Sequence, residues 1–278
     1  MTGTTSSSVT SADGTRIAYT ATGSGPAVVV VDGALCYRGF GPAAGIARQL
    51  ADGYRVFTYD RRGRGESEPG GGPAASGGPA GGGREREVAD LAAVIAAAGG
   101  SAALVGLSSG AALALAAAGA GIGVTRVVAY EPPFSTDDGQ RGRFKEYVAG
   151  MEQDLAAGRP GDAVARFMTF VGTPAGMLAQ FRESPLWEVF EQVGPSLAND
   201  VEVLDGREGA DVPTARLAEL ALPVLLVDGE LASATMRAGV RAAAAAVPGA
   251  GYRTLAGQTH DVQPAVLAKA AAEFFAQG

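Results

Sequence analysis

The sequence has one histidine, His260, and one cysteine, Cys36, among its 278 residues. A single cysteine excludes a disulfide within the chain, and a single histidine excludes a metal site with several imidazole ligands. No G-x-G-x-x-G fingerprint follows an early strand in the context that a dinucleotide needs. We therefore expect no metal ion and no cofactor, and any reaction that needs an imidazole must use His260.

Basic residues are also too few to balance the acidic ones, and the formal net charge is −7. An acidic chain without an extended basic cluster is a poor binder of nucleic acid. The first residues lack the basic and apolar regions of a signal peptide, and no apolar segment is long enough to span a bilayer. We expect a cytoplasmic monomer or homodimer that binds a small-molecule substrate, with neither a nucleic-acid nor a membrane partner.

Apolar runs rich in β-branched residues alternate with segments whose apolar residues recur at helical spacing. Such runs are typical of parallel strands that are buried on both faces. The alternation predicts an α/β fold with a mostly parallel central sheet and helices on both faces. The predicted strands lie at residues 27–31, 54–60, 102–105, 124–130, 222–229 and 252–255.

Two segments lack core-forming side chains. Residues 1–8 are polar and rich in serine and threonine, and residues 69–83 contain only Gly, Pro, Ala and Ser. Neither can bury apolar surface, so we predict that both are disordered. By contrast, residues 9–19 predict a β-hairpin with Asp13-Gly14 at its turn.

Between the predicted strands at 124–130 and 222–229, aromatic and methionine residues recur at helical spacing and β-branched runs are absent. This composition predicts a set of helices rather than further strands. We therefore predict a core domain formed by residues 1–133 and 221–278, with residues 134–220 inserted as a helical cap.

The segment Gly106-Leu107-Ser108-Ser109-Gly110 follows an apolar strand and precedes a helix of small residues. In this context the G-x-S-x-G pattern holds its central serine at the apex of a strained turn. Glycines on both sides remove side chains that would collide there. The helix that follows directs backbone N–H groups and its positive dipole end towards whatever the serine attacks.

Several polar residues follow the predicted strands directly. Because the carboxyl ends of parallel strands meet at one edge of a sheet, we expect these residues to lie near one another. They are Asp32, Asp60, Ser108, Glu131, Asp228 and His260.

Four motifs together resemble the α/β-hydrolase family, from about Val9 to the end of the chain. They are the turn at Gly33, the segment Tyr59–Ser67, the Gly106–Gly110 turn, and Gly257-Gln258-Thr259-His260. The second motif is similar to the family segment D-x-R-G-x-G-x-S. We therefore interpret its basic run as a structural turn rather than a phosphate site.

The resemblance implies that Ser108 is the nucleophile and that His260 is its general base. It also implies an oxyanion hole formed by the backbone N–H groups of Ser109 and, from the turn after Gly33, Ala34. Asp32 stands where the family often has histidine. We expect its carboxylate to point away from the oxyanion or to have a structural partner.

The acid that orients the histidine is the point at which the sequence departs from the family. Its usual position after the predicted strand at 222–229 is Ala232. Glu131, Asp228 and Glu230 are three possible substitutes, and we favour Glu131. A Ser–His dyad without an acid is the alternative, because the acid orients the histidine and does not attack the substrate.

We expect an apolar pocket above Ser108, formed by Leu35, Cys36, Phe134, Phe167, Phe170 and Trp187. Such a lining favours a largely hydrophobic substrate. The leading hypothesis is a serine hydrolase of esters, lactones or thioesters. The alternatives are a cofactor-free relative that performs elimination or cyclisation, and a binding protein without turnover.

Overall fold

The computed structural model describes residues 4–70 and 82–277. Its sheet has eight strands in the order β1-β2-β4-β3-β5-β6-β7-β8. β1 and β2 run antiparallel to their neighbours, and the remaining pairs are parallel. The sheet therefore confirms the predicted, mostly parallel α/β fold. The strands are β1 Thr4–Thr10, β2 Arg16–Thr22, β3 Ala27–Val31, β4 Arg55–Tyr59, β5 Ala102–Leu107, β6 Val124–Tyr130, β7 Val224–Gly229 and β8 Gly251–Leu255.

Helices cover both faces of this sheet. Side chains of β3 alternate between two apolar cores: Val29 and Val31 pack on one face, whereas Val28 and Val30 pack on the other. This double burial accounts for the uninterrupted run of valines. The helices are α1 Ala43–Leu50, α2 Gly83–Ala97, α3 Ser109–Ala118, α4 Asp138–Ala156, α5 Pro160–Phe170, α6 Ala175–Arg182, α7 Leu186–Val193, α8 Leu197–Val203, α9 Thr214–Ala218, α10 Ala234–Ala246 and α11 Pro264–Phe275.

The prediction of disorder for residues 1–8 is wrong from Thr4 onwards, because these residues form the edge strand β1. Ladder bonds to β2 satisfy the strand's backbone groups without any burial of its polar side chains. Hydroxyl pairs support the ladder, with 3.4 Å between Thr4 and Thr22 and 3.3 Å between Ser6 and Thr20. The hairpin prediction is confirmed.

The disorder predicted for residues 1–3, and for 71–81 within the segment 69–83, lies outside the described residues. Helix α2 begins at Gly83, so the last residue of the segment 69–83 is helical and not disordered as predicted. No described helix is both long enough and apolar enough to cross a bilayer.

Helices α4 to α9 lie between β6 and β7, as the composition of this segment predicts. One of them, α8, packs against α2 and α3 of the sheet-covering layer. The inserted helices therefore reach the helix that starts at the Gly106–Gly110 turn. The division into core and cap domains at 133/134 and 220/221 stays a prediction.

The tightest backbone packing near this turn is between α3 and the end of β3. A Cβ atom added to Gly110 would lie 2.2 Å from the carbonyl oxygen of Val31 and 2.4 Å from that of Asp32. Both obstacles are backbone atoms of a buried strand end, so neither can move aside. Only glycine fits at this position.

We predict that Gly110→Ala lowers the free energy of unfolding by roughly 3 kcal/mol or more, the upper range for an overpacked site. The matched control is Gly142→Ala on the exposed side of α4, where an added Cβ meets nothing within 4 Å. That change should stabilise the protein by about 0.5–1 kcal/mol. Urea unfolding of both variants checks the pair, and equal effects would contradict the packing argument.

Candidate active site

Ser108 occupies the strained apex of the turn between β5 and α3. Its backbone has φ +53° and ψ −124°, a conformation that costs a non-glycine residue of order 1–3 kcal/mol. The turn is tight because a Cβ on Gly106 would lie 2.6 Å from the Cα of Ala111. The sequence G-x-S-x-G thus folds into an elbow, Gly106–Gly110, that presents a half-buried serine.

The turn after β3 lies directly beside this elbow. A Cβ on Gly33 would come within 3.1 Å of the Cβ of Ser108 and 3.7 Å of its Oγ. The same turn contains Leu35 in the left-handed region, with φ +61°. Ser109 is the first residue of α3, where backbone N–H groups have no intrahelical acceptor. The amides predicted to bind an oxyanion therefore belong to two neighbouring turns, and their role stays a prediction.

Glu131 and His260 are in direct contact. Oε2 of Glu131 is 2.6 Å from Nδ1 of His260, and Oε1 accepts a 2.7 Å hydrogen bond from the Gly229 amide. The Glu131 side chain is 0% exposed, whereas the His260 side chain is 45% exposed. Because a carboxylate only accepts hydrogen bonds, this contact assigns the proton to Nδ1 and leaves Nε2 free as an acceptor.

The two other candidate acids are engaged elsewhere. Oδ2 of Asp228 accepts hydrogen bonds from the Tyr252 hydroxyl at 2.6 Å and from Arg237 at 3.2 Å. Oε2 of Glu230 accepts a 2.8 Å hydrogen bond from the Gly257 amide. Of the three carboxylates that the sequence offers, Glu131 is the one in contact with the histidine.

Backbone hydrogen bonds connect the elbow to this pair. The Ser108 amide donates to the carbonyl of Tyr130 at 2.8 Å, and Tyr130 directly precedes Glu131. The Tyr130 hydroxyl donates to the carbonyl of Thr259, which directly precedes His260. Glu131 itself has a left-handed backbone, with φ +47°. Ser108 and Glu131 thus lie at the carboxyl ends of the neighbouring strands β5 and β6, and His260, from the loop after β8, reaches this edge by its contact with Glu131.

Asp32 was expected either to point away from the oxyanion or to have a structural partner, and the structure shows no side-chain partner for it. It is buried, and neither carboxylate oxygen accepts a hydrogen bond of normal geometry within the described residues, although the Ala43 backbone lies close enough to lower its pKa. Its Oδ2 lies beside Gly41, 3.4 Å from where a Cβ on that glycine would be. Burial raises the pKa of Asp32 to about 7, and Arg64 and Arg61 offset only part of that effect.

Cys36 is a poor nucleophile in this setting. Burial and the nearby Asp32 carboxyl raise the pKa of its thiol to about 12. A thiolate is the reactive form of cysteine, and that form is scarce at neutral pH with such a pKa. Cys36 therefore behaves as a small, half-buried residue of the turn after β3.

The basic run at 61–64 is a buried structural turn, as its interpretation in the sequence implies. The guanidinium groups of Arg61, Arg62 and Arg64 are buried and paired with carboxylates. Arg61 pairs with Glu87 and Asp200, Arg62 with Asp90 and Asp13, and Arg64 with Asp200.

Asp200 was not among the predicted site residues. All three buried arginines pair with carboxylates outside the strand-end motifs, and the need of the basic run for such partners was the available signal. Asp200 lies on α8, about 90 residues after the elbow, and no local pattern marks it.

Three of the aromatic residues predicted to line the pocket pack on other aromatic rings of the inserted helices. The Phe170 ring stacks on Tyr147 at 4.6 Å, and Phe167 lies 6.0 Å from the same ring. Trp187 contacts Phe181 edge-to-face at 5.7 Å. Leu35 and Phe134 are buried, and Phe170 is exposed. A pocket formed by these side chains and Cys36 stays a prediction.

Comparisons with known proteins agree with the fold. A family model described as "Alpha/beta hydrolase family" matches residues 23–276, so the chain belongs to this family. An alpha/beta hydrolase from Sphaerobacter thermophilus DSM 20745 is 40% identical, with a TM-score of 0.82, and the match covers 97% of this chain and 100% of that one.

Two more distant structures share the fold. An esterase from Rhodococcus sp. ECU1013 is 22% identical with a TM-score of 0.69, covering 98% of this chain and 99% of its own. A thermophilic esterase from Thermogutta terrifontis is 21% identical with a TM-score of 0.66, covering 98% of both chains. No curated protein matches the chain.

The unpartnered Asp32 carboxyl predicts an unusual pH dependence of stability. The unfolded chain releases this proton near pH 3.8, and the folded protein releases it near pH 7. Within this window the folded protein binds more protons than the unfolded chain, so stability falls as the pH rises, by up to ~1.4 kcal/mol per pH unit.

Asp32→Asn removes this proton uptake, so its Tm relative to the wild type should rise from about pH 5 to about pH 8. Thermal unfolding of both proteins across this range provides the measurement. A Tm difference that does not change with pH would show that Asp32 titrates normally.

Proposed function

We propose that the protein is a serine hydrolase that cleaves an ester, lactone or thioester bond of a small, largely hydrophobic substrate. Ser108 is the nucleophile, His260 the general base and Glu131 the acid that orients it. The observation that carries the proposal is the 2.6 Å contact between Glu131 and Nδ1 of the only histidine, beside a strained serine elbow.

In the first half-reaction, Oγ of Ser108 attacks the acyl carbon and Nε2 of His260 takes its proton. The negative charge that develops on the carbonyl oxygen is bound by the amides of Ser109 and Ala34. The tetrahedral intermediate then collapses, the bond to the leaving group breaks, and His260 returns the proton to the departing alcohol or thiol. An acyl group remains on Ser108.

Water completes the cycle by the same steps. His260 takes a proton from water, the hydroxide oxygen bonds to the acyl carbon, and the bond to Ser108 breaks as its Oγ regains a proton. The 45% exposed imidazole is open to solvent, which supplies this water. Exposure of the base favours hydrolysis over elimination or cyclisation, which need water to be kept away from the intermediate.

The aromatic content of the inserted helices and the pairing of the basic run support an apolar substrate. The inserted helices present clustered aromatic rings, including Tyr147 with Phe170 and Phe181 with Trp187. The guanidinium groups of the basic run form ion pairs with buried carboxylates of the protein, so they do not offer a site for a phosphate or carboxylate substrate. Short and medium acyl esters are therefore the first substrates to test.

Replacement of the nucleophile is the first prediction of this mechanism. Ser108→Ala should abolish both covalent labelling by a fluorophosphonate and turnover of p-nitrophenyl esters, because no other residue forms the acyl-enzyme. Labelling is read by intact mass and turnover by released p-nitrophenol. Wild-type protein that is folded but neither labelled nor active would refute the hydrolase proposal and favour a binding role, whereas labelling without turnover would favour a non-hydrolytic reaction.

Replacement of the acid separates Glu131 from its competitors. Glu131→Gln should lower kcat for p-nitrophenyl acetate by about 10²–10⁴-fold, because an amide no longer stabilises the imidazolium or fixes its tautomer. The matched control is Glu230→Gln, a nearby carboxylate that does not contact His260 and whose replacement amide can still accept from the Gly257 amide. An equal loss in both variants would remove Glu131 from the mechanism.

A further inference from the structure

Asp200 lies at the centre of a buried ion network that connects the inserted helices to the elbow. Its Oδ1 accepts hydrogen bonds of 2.7 Å from the Ser109 hydroxyl and 2.7 Å from Arg61, and its Oδ2 accepts one of 2.7 Å from Arg64. The side chain is 7% exposed and comes from α8, within the inserted segment. One carboxylate thus joins three side chains from two other parts of the chain.

The charges of this network balance only when Asp200 is included. Arg61 and Arg64 contribute two positive charges, and Glu87 and Asp200 supply two negative ones. Burial opposes the ionisation of Asp200, but Arg64 and then Arg61 outweigh that effect and hold its pKa below the usual range. Removal of this charge would leave a buried guanidinium without its counter-ion.

The first of two connections from this network runs to the elbow. The Ser109 hydroxyl donates to Asp200 and also accepts a 3.1 Å hydrogen bond from Arg61. Both contacts fix the side chain of the residue whose backbone N–H is the first proposed oxyanion donor. We expect loss of these contacts to release the Ser109 side chain and to shift its backbone N–H.

The second connection runs to the turn after β3. Arg64, held by Asp200, donates through Nη1 to the carbonyl of Gly33 at 2.6 Å and to that of Cys36 at 3.2 Å. These two carbonyls bracket Ala34, the second proposed oxyanion donor. Arg61 adds a 3.3 Å hydrogen bond to the carbonyl of Asp32.

We propose that Asp200 is a positioning residue that sets the distance between the two arms of the oxyanion hole. It holds Ser109 directly and the Gly33–Cys36 turn through Arg64. This inference rests on the proposed serine-hydrolase function and adds to it a residue of the inserted helices that touches no reacting atom. Oxyanion donors must stand 2.7–3.1 Å from the developing charge, so a small shift of either arm lowers the rate.

The chain contains a matched control in the same basic run. Arg62 pairs with Asp90 through two hydrogen bonds of 2.7 Å, in an equally buried setting. Its side chain also donates to Asp13 and to the carbonyl of Arg86. Within the described residues it contacts neither arm of the oxyanion hole. Asp90→Asn and Asp200→Asn thus each remove a buried carboxylate that pairs with an arginine of this run, and of the two positions Asp200 alone is linked to the proposed oxyanion turns.

The test compares the wild type with Asp200→Asn, Asp90→Asn and Ser109→Ala. Steady-state hydrolysis of p-nitrophenyl acetate gives kcat and KM separately. Inhibition by an aryl trifluoromethyl ketone, which forms a tetrahedral oxyanion adduct on Ser108, reports the oxyanion hole itself. Fluorophosphonate labelling of the wild type verifies the underlying hydrolase function in the same samples.

We expect Asp200→Asn to lower kcat by about 10–100-fold with KM changed less than about threefold, and to weaken the trifluoromethyl ketone by a similar factor. Ser109→Ala removes the hydroxyl's hydrogen bonds to Asp200 and Arg61 without removing a charge, and should lower kcat by about three- to tenfold. Asp90→Asn should lower Tm while kcat and inhibitor affinity stay within about twofold of the wild type.

Three results would overturn the proposal. The first is an equal fall of kcat in Asp90→Asn and Asp200→Asn, and the second is a rise in KM at unchanged kcat with intact inhibitor affinity. The third applies if Asp200→Asn does not fold: a Ser109→Ala variant with wild-type kcat and inhibitor affinity. A wild type that is neither labelled nor active marks failure of the hydrolase function itself, and the positioning role falls with it.

Discussion

The backbone of α3 lies directly against the carboxyl end of β3, and the arrangement of the site depends on this contact. Gly110 leaves no room for a Cβ between α3 and the carbonyls of Val31 and Asp32. This approach forces the chain to reverse sharply at Ser108, and it brings the Gly33 turn beside the serine. The strain at Ser108 persists because the buried strand β5 fixes the backbone before it and the buried helix α3 fixes the backbone after it.

The other side chains of the candidate site come from the ends of neighbouring strands and from the loops that directly follow them. β6 places Glu131 next to the elbow, and the loop after β8 places His260 against Glu131. Three non-glycine residues at this edge, Leu35, Ser108 and Glu131, have positive φ values. Strained backbone conformations cluster at functional sites, where they orient side chains at a cost in stability. Their occurrence here agrees with a site at the carboxyl edge of the sheet.

Much of this arrangement could be predicted from the sequence because it depends on local patterns. The valine run at 27–31, the elbow and the last strand each have a length, composition and flanking residues that define them. The contact of Glu131 with His260 follows from the same logic, since each ends or follows a parallel strand. What could not be predicted depends on pairing across long separations. No local sequence pattern marks Asp200 or the edge strand β1. The positions of both depend on contacts with residues that are distant in sequence.

Asp32 is a residue whose position could be predicted from the sequence but whose environment could not. Its position after β3 was predictable, but its lack of a hydrogen-bond partner results from the surrounding packing. The neighbouring positive charges of Arg61 and Arg64 are already committed to Glu87 and Asp200. Burial in such a place raises the pKa of the Asp32 carboxyl, and the two guanidinium groups offset only part of that effect.

The central claim is that Glu131 holds His260 with the proton on Nδ1, so that Nε2 can act as the base. Because His260 is the only histidine, nuclear magnetic resonance of protein with isotope-labelled histidine observes this ring alone. The account predicts a neutral imidazole protonated at Nδ1, with a strongly downfield proton on that nitrogen that is lost in Glu131→Ala. A neutral ring protonated at Nε2, or a spectrum that does not change in Glu131→Ala, would contradict it.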